Sequence, residues 1–120
     1  MWAAYGKQKD VEHPCHFADI DALTMFADYR VPQILRSMGV LTYSTALAAS
    51  IDSYEQIPWG DEREVELRAQ TIVAVDMLQL ELRSRGKNLM VLECDWLLWQ
   101  QGERLKDEIL PHHRTLSIYY

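Results

Sequence analysis

Three features of this 120-residue chain predict an all-α fold. Apolar residues recur at helical spacing over most of its length. Prolines and glycines that suit helix starts and stops, among them Pro32, Gly39 and Gly86, separate these stretches. The stretch from Asp61 to Arg85 opens with acidic residues and is followed by a glycine, as is typical of a long helix. We therefore expect helices joined by short turns, within one domain at most.

Composition and charge restrict what the protein can do. The formal net charge is −6 and no dense Lys/Arg patch is present, so sequence-independent binding to long nucleic acid is not expected. No run approaches the roughly 18 apolar residues of a membrane span, and the first residues lack the layout of a signal peptide. Cys15 and Cys94 are most simply free thiols. We expect an intracellular, cytoplasmic protein with no membrane partner.

The opening residues divide into a lead-in and a predicted helix. Residues 1–16 are polar and mixed, with Trp2 and Tyr5 as their large anchors. From Phe17 the apolar residues follow helical spacing, and acidic residues occupy the first turn, where they suit the helix dipole. A helix is therefore predicted from Phe17 to about Tyr29. Its repeating positions are Ile20, Leu23, Thr24 and Ala27.

Val31-Pro32 should interrupt the chain between this helix and the next. Proline disfavours the helical conformation at the residue before it and suits the first turn of a following helix. The helix that starts at Pro32 should end at Gly39, which can take the positive φ of a C-terminal cap. A small-residue helix is then predicted from Thr42 to Ile51.

The longest helix is predicted after a loop at residues 53–60. Asp61 can cap it, and it should run to Arg85. Its middle, residues 71–75, is apolar nearly all round. We therefore expect this helix to be the buried axle of the fold.

The last helix is predicted from Leu89 to about Lys106, with Asn88 as its cap. Pro111 and the histidines after it lead into an extended tail, residues 115–120.

Asp95 is the carboxylate that helical periodicity marks most clearly. It shares a helix face with apolar and aromatic residues, so it should point toward apolar neighbours. Such a carboxylate is either a partnered core aspartate, for example with Arg114 or the backbone of the tail, or part of a ligand cavity. Asp76 in the long helix is better explained as a structural tie to a neighbouring helix end. The face of Asp95 consists of Val91, Leu92, Leu98 and Trp99.

Asp28, Tyr29 and Arg30 fall at a predicted helix boundary, next to Phe26. A carboxylate, a phenol and a guanidinium held there form a compact recognition set rather than a core segment. The alternative is that Asp28 only caps the Pro32 helix.

The histidines and cysteines do not predict a metal site. His13, Cys15, His16, His112 and His113 lack the usual spacing of structural zinc ligands. The chain also contains no phosphate-cradling glycine loop, no Gly-x-Ser-x-Gly and no Cys-x-x-Cys motif. We expect no metal and no other cofactor.

Several stretches of the chain form an ordered set of motifs. They are residues 26–33 (Phe-Ala-Asp-Tyr-Arg-Val-Pro-Gln), Gly39, residues 66–69 (Glu-Leu-Arg-Ala), residues 95–99 (Asp-Trp-Leu-Leu-Trp), residues 111–114 (Pro-His-His-Arg) and residues 118–120 (Ile-Tyr-Tyr). This set resembles the C-terminal part of the queuosine salvage protein family, the queuosine 5′-phosphate N-glycosylase/hydrolases, which are related to the all-helical DNA glycosylases. The resemblance runs in order from about Phe17 to the last residue.

The resemblance implies a DNA-glycosylase-like helical fold and hydrolysis of the N-glycosidic bond of queuosine 5′-monophosphate, which releases queuine for reuse in tRNA modification. The partner would be this small-molecule nucleotide, with no direct contact to nucleic acid. Asp28 and Asp95 would be the catalytic carboxylates, because a carboxylate can stabilise the positive charge that develops on the sugar. The substrate-binding residues would be Phe26, Tyr29, Arg30, Trp99 and Gln100.

Two departures from the family pattern leave other functions open. Family members often carry Asp where this chain has Gln100, and they are well over twice as long. Residues 1–120 would then be the C-terminal part of the domain, with 1–16 as a poorly defined lead-in, and inactive alone. One alternative is a truncated, catalytically silent paralogue that binds a nucleoside or a protein partner. The other, a nucleic-acid-binding helix-glycine-helix hairpin around Gly39, conflicts with the acidic charge.

Overall fold

The computed structural model describes residues 4–7 and 9–118, and the regular structure within them is helical. The all-α prediction is confirmed for this part of the chain, where β pairing is limited to one isolated bridge between Gln56 and Arg114. Trp2, Tyr119 and Tyr120 lie outside the described residues. The elements, in chain order, are a 3-10 turn at Ile20–Ala22, α1 at Arg30–Ser37, α2 at Thr45–Asp52, α3 at Glu62–Ser84 and α4 at Val91–Leu105.

The helix predicted for residues 17–29 is wrong. A single 3-10 turn forms at Ile20–Ala22, and the chain then runs extended to α1. Burial alternates over residues 25–27: Met25 and Ala27 are buried, whereas Phe26 between them is 56% exposed. Alternation with a period of two is the pattern of an extended chain lying on a core. Tertiary packing has therefore overridden the helical spacing of the apolar residues.

Helix α1 begins two residues before the predicted start at Pro32. Pro32 lies in its first turn, where a missing N–H removes no helical hydrogen bond. The end agrees with the prediction: Gly39 has a φ of +73°, and the N–H of Val40 donates to the carbonyl of Leu35 at 2.9 Å. The first six residues of α1 are all buried. This short helix is therefore the most enclosed element of the described fold.

The starts of α2 and α3 are set by side-chain caps. α2 starts at Thr45 instead of Thr42, because the side chain of Ser44 accepts a hydrogen bond from the first turn. Asp61 caps α3 as predicted, with its Oδ1 accepting the N–H of Arg63 at 2.9 Å. Both starts follow the usual preference for a hydroxyl or carboxylate before the first turn.

Helix α4 is started by a glutamate, and the predicted cap by Asn88 is wrong. The N–H of Met90, at the N-cap position, donates to the carboxylate of Glu93 at 2.9 Å. A carboxylate three residues into a helix satisfies this otherwise unpaired donor. The helix consequently begins at Val91 rather than at Leu89.

The core lies where α1 packs between α3 and α4. Val31, Leu35 and Val75 are completely buried at this junction. The rest of the buried cluster is Met25, Ala27, Ile34, Ala74, Cys94 and Leu98. Because Met25 and Ala27 belong to it, the extended segment before α1 is fixed against the same core that holds the helices together.

Gly102 allows α1 and α4 to approach closely. A Cβ atom at this buried position would lie 2.8 Å from Cγ of Arg30, so only glycine leaves room for the arginine stem. The guanidinium of Arg30 bonds to Glu103, with 2.7 Å between Nε and Oε1, and to the amide oxygen of Gln33. Gln33 in turn donates to the carbonyl of Leu110 at 2.8 Å. We call Arg30, Gln33, Gly102 and Glu103 the Arg30 cluster.

The prediction that α3 is a buried axle is wrong. Thr71 and Val75 are fully buried, but Val73, Met77 and Leu80 are 49%, 65% and 62% exposed. The helix therefore packs through one face only and presents an apolar face to solvent. The radius of gyration, 15.9 Å, exceeds the roughly 14 Å expected for a compact domain of this length.

The described part of the tail, residues 111–118, forms no helix, and Arg114 within it makes the isolated bridge to Gln56. It is attached to the loop between α2 and α3, where the N–H of Ile57 donates to the carbonyl of Arg114 at 2.8 Å. The tail also passes beside the N-terminal end of α1, where the ring of His112 packs against that of Tyr29.

Candidate active site

A pocket of about 390 Å³ opens where the extended segment before α1 meets α4. Its lining residues are Phe26, Asp28, Tyr29, Leu92, Asp95, Trp96 and Trp99. We call it the acidic pocket, because Asp28 and Asp95 are its charged residues. The structure thus brings together Phe26, Asp28, Tyr29, Asp95 and Trp99 from the predicted site, and their roles stay predictions.

Asp95 holds the extended segment against α4. Its Oδ2 accepts the backbone N–H of Phe26 at 3.1 Å. Burial raises the pKa of Asp95, and the negative charge of Asp28 raises it further, while the hydrogen bond from Phe26 acts in the opposite direction. The partner of Asp95 is therefore a backbone amide, not the arginine considered from the sequence.

Asp28 caps α1, so the capping that the sequence suggested is confirmed. Its Oδ1 accepts the N–H of Arg30 at 3.0 Å and that of Val31 at 2.9 Å. Burial raises the pKa of Asp28, although these two hydrogen bonds and the charge of Arg30 oppose the rise. Both bonds use the same oxygen, and Asp28 also lines the acidic pocket. Capping is thus compatible with a second role toward a ligand.

The aromatic side of the acidic pocket is wider than the sequence indicated. Trp96 and Trp99 are stacked, with ring centroids 5.4 Å apart and an angle of 13° between the planes. Trp96 is 58% exposed and Phe26 56%. Neither Trp96 nor Leu92 was predicted as a site residue, although both lie within one helical turn of Asp95. Flat aromatic surfaces of this kind suit a planar base.

Three residues that the sequence marks lie outside the acidic pocket. Arg30 belongs to the buried Arg30 cluster, and Gln100 is exposed on α4. Asp76 is on α3, where its Oδ1 lies 3.4 Å from the hydroxyl of Thr24. Arg30 is connected to the pocket only through its backbone, because its N–H donates a hydrogen bond to Asp28.

A second pocket, of about 500 Å³, lies beside the C-terminal tail. Its lining residues are Tyr29, Tyr54, Gln56, His112, His113, Arg114, Thr115 and Leu116. We call it the tail pocket. Tyr29 lines both pockets, and its ring lies 4.6 Å from that of His112. Tyr54 and Gln56 could not be predicted as lining residues, because the pairing of distant segments brings them here.

The charge of the tail pocket comes from Arg114. Its guanidinium carbon lies 4.5 Å from the centre of the Tyr54 ring, in a cation–π contact. Burial lowers the pKa of His113 to about 4, so this histidine is neutral at physiological pH. The imidazole Nδ1 of His112 donates to the carbonyl of His113 at 2.6 Å, which fixes the ring.

Within residues 4–7 and 9–118, no group of three or more His, Cys, Asp or Glu side chains is arranged so that it could hold a metal ion. In the same residues, each helix is too short or too polar to cross a membrane.

Sequence comparison agrees with the motifs. The family model of the queuosine salvage protein matches residues 1–120. A relative from Sphaerobacter thermophilus is 48% identical over 104 residues, and one from Dictyostelium discoideum is 47% identical over 104 residues. In each case the match covers 87% of this chain and 32% of the relative.

The Mus musculus relative is 39% identical over 113 residues, which cover 87% of this chain and 33% of the relative. All three relatives are named queuosine 5′-phosphate N-glycosylase/hydrolase. This chain spans about a third of the length of the curated relatives it matches. The resemblance carried by the motifs is confirmed, and the chain belongs to the queuosine salvage protein family.

Proposed function

We propose that this chain is the C-terminal part of an enzyme that hydrolyses the N-glycosidic bond of queuosine 5′-monophosphate and releases queuine. The names of the relatives support this reaction. The observation that carries the proposal is the meeting of Asp28 and Asp95 in one pocket with aromatic walls. Since the chain spans a third of its relatives' length, we expect it to be inactive alone.

The carboxylates act on the charge that develops at the sugar. Breaking a ribosyl bond builds positive charge on the ring, in a transition state that resembles an oxocarbenium ion. A carboxylate placed beside the anomeric carbon stabilises this charge while water attacks. Asp95 suits the role, because its position is fixed by one hydrogen bond, from Phe26, and it faces the acidic pocket.

The aromatic wall binds the base. Phe26 and Trp99 lie on the same pocket and can stack against the deazapurine ring, as aromatic side chains do with other bases. Queuine also carries a secondary amine that is protonated at neutral pH. Asp28 is the second carboxylate of the pocket and the natural partner for this cation.

A catalytically silent paralogue is the weaker alternative. The matched relatives are named as enzymes, and Gln100 lies outside the acidic pocket. We also expect no direct binding of tRNA, because the net charge is −6.

The test is made in a chimera, in which this chain replaces the matching segment of the Sphaerobacter thermophilus relative. Asp28→Asn and Asp95→Asn keep a carbonyl oxygen for the hydrogen bonds from α1 and Phe26 but remove the charge. Each variant should lower the rate of queuine release from queuosine 5′-monophosphate by about a hundredfold or more. Release of queuine is followed by chromatography, and folding by thermal melting.

Asp76→Asn is the matched control, because Asp76 is a half-buried aspartate of α3 outside the acidic pocket. It should leave the rate within a few-fold of the parent chimera. The site assignment is wrong if Asp28→Asn and Asp95→Asn keep full activity, or lose it only together with the melting transition. An inactive parent chimera would count against the proposed function itself.

A further inference from the structure

The two pockets that share Tyr29 differ in charge. The acidic pocket is lined by Asp28 and Asp95. The tail pocket has no carboxylate among its described lining residues, and it carries Arg114. A ligand that occupies both pockets therefore needs a cationic end and an anionic end.

Arg114 is held in place without being neutralised. Its backbone is fixed by the hydrogen bond from Ile57, and its guanidinium by the ring of Tyr54. Within the described residues, no carboxylate lies close enough to form an ion pair with it. The planar guanidinium offers several donors at fixed angles, which suits the oxygens of a phosphate group.

Two further observations mark the tail pocket as a site for a ligand. Tyr54, which holds Arg114, has a φ of +62°, a left-handed conformation that costs energy for a residue other than glycine. Strain of this kind is concentrated at binding and catalytic sites. The hydroxyl of Thr115 is buried at the same pocket, with no hydrogen-bond partner among the described residues. A polar group in this state is unusual unless a ligand or water completes it.

We propose that the tail pocket is the subsite for the 5′-phosphate of the substrate, with Arg114 as its charge partner. This inference rests on the proposed function, since queuosine 5′-monophosphate has the required polarity. Its base carries a protonated amine for the acidic pocket, and its phosphate is dianionic. Tyr29, which lines both pockets, would lie beside the ribose that joins the two ends.

The test compares two ligands that differ only in the phosphate: queuosine 5′-monophosphate and queuosine. Their dissociation constants are measured by calorimetry with the 120-residue chain, and kcat/KM is measured in the chimera. Arg114→Gln should weaken binding of the monophosphate by about tenfold to a hundredfold, the usual contribution of a charged hydrogen bond, and leave queuosine unchanged. Arg114→Lys keeps the charge and should restore part of the preference.

Arg85→Gln is the control for the loss of one charge, because Arg85 pairs with Glu81 at the far end of α3. Equal weakening of both ligands by Arg114→Gln would overturn the phosphate subsite and leave the proposed function standing. A parent protein with no preference for the monophosphate would do the same. Failure of both ligands to bind the chain and to react in the chimera would overturn the proposed function and this inference together.

Discussion

The Arg30 cluster and the acidic pocket both contain residues of the segment that leads into α1, but their polar side chains differ in their hydrogen-bond partners. In the Arg30 cluster, each charged or amide group faces another protein group: Arg30 contacts Glu103 and Gln33, and Gln33 contacts a backbone carbonyl. In the acidic pocket, which both carboxylates line, their hydrogen-bond partners within the described residues are backbone amides.

This difference separates positioning from binding. Polar groups that satisfy one another inside a fold fix its geometry. Burial raises the pKa of both carboxylates, and the charge of Asp28 raises that of Asp95 further, so the pocket favours the arrival of a cation at a cost in stability. Residues 26–30 contain both Arg30, which belongs to the cluster, and Asp28, which lines the acidic pocket. The Arg30 cluster therefore fixes the position of the segment that lines the pocket.

Removal of the arginine is the largest expected effect on stability. Arg30→Ala leaves Glu103 and Gln33 without their partner and deletes the stem that packs on Gly102. We expect a loss of about 3 kcal/mol in the free energy of unfolding, the lower end of the range for a broken buried ion pair, since Glu103 is partly exposed. Urea unfolding followed by circular dichroism measures it. A loss under about 1 kcal/mol would show that the Arg30–Glu103 pair contributes no more to stability than an ordinary surface ion pair.

A smaller effect is expected from Gly102→Ala, and its sign should depend on Arg30. The new Cβ would meet the arginine stem at 2.8 Å, which outweighs the better helix propensity of alanine. We expect a loss of about 1 kcal/mol in the native background. In the Arg30→Ala background the clash is gone, so the same substitution should be neutral or stabilising. If its cost is the same in both backgrounds, the close approach of Gly102 to Arg30 is not what limits this position.

The smallest effect is predicted in the acidic pocket, and it has the opposite sign. The folded pKa of Asp95 is raised above its usual value of 3.8, so the ionised carboxylate disfavours the folded state at neutral pH. In the wild-type protein, the protonated carboxyl group of Asp95 favours the folded state at low pH. This contribution to stability is lost as the pH rises from 3.8 through the folded pKa. Asp95→Asn should therefore melt at a slightly higher temperature than wild type at about pH 7, and this difference should become smaller as the pH falls through the folded pKa of Asp95 toward 3.8.

The matched control for that experiment is Asp107→Asn, which removes the charge of an exposed aspartate beyond α4. A lower melting temperature for Asp95→Asn at neutral pH, or a gap that does not change with pH, would show that Asp95 is a stabilising core residue.

Local rules were enough to predict much of this fold. The caps and stops of α1 and α3 depend on residues adjacent in sequence, such as Asp61 and Gly39, and these predictions are confirmed. The prediction of a helix at residues 17–29 was wrong because the segment packs on α4 as an extended chain. That packing depends on residues distant in sequence, which local patterns do not show. The prediction that α3 is buried all round was wrong for a related reason. When a helix is apolar on all sides, its sequence does not show which face packs against other elements.

The candidate site shows the same division. Helical periodicity placed Asp95 and Trp99 on one face, and the motif of residues 26–33 indicated Phe26 and Asp28, because these signals are local. The tail pocket could not be predicted, since it depends on the pairing of Gln56 with Arg114 across distant parts of the chain. Arg30 was expected to bind substrate, but the glycine that draws it onto α4 carries no signal in a single sequence.

The central claim is that Asp28 and Asp95 form one site that binds a cationic ligand. Carboxyl carbon NMR, recorded over a range of pH with and without queuine, measures both pKa values directly. In the free protein both pKa values should lie above 3.8, and the protonated amine of bound queuine should lower both. Free-protein values at or below 3.8, or values that bound queuine leaves unchanged, would contradict the claim.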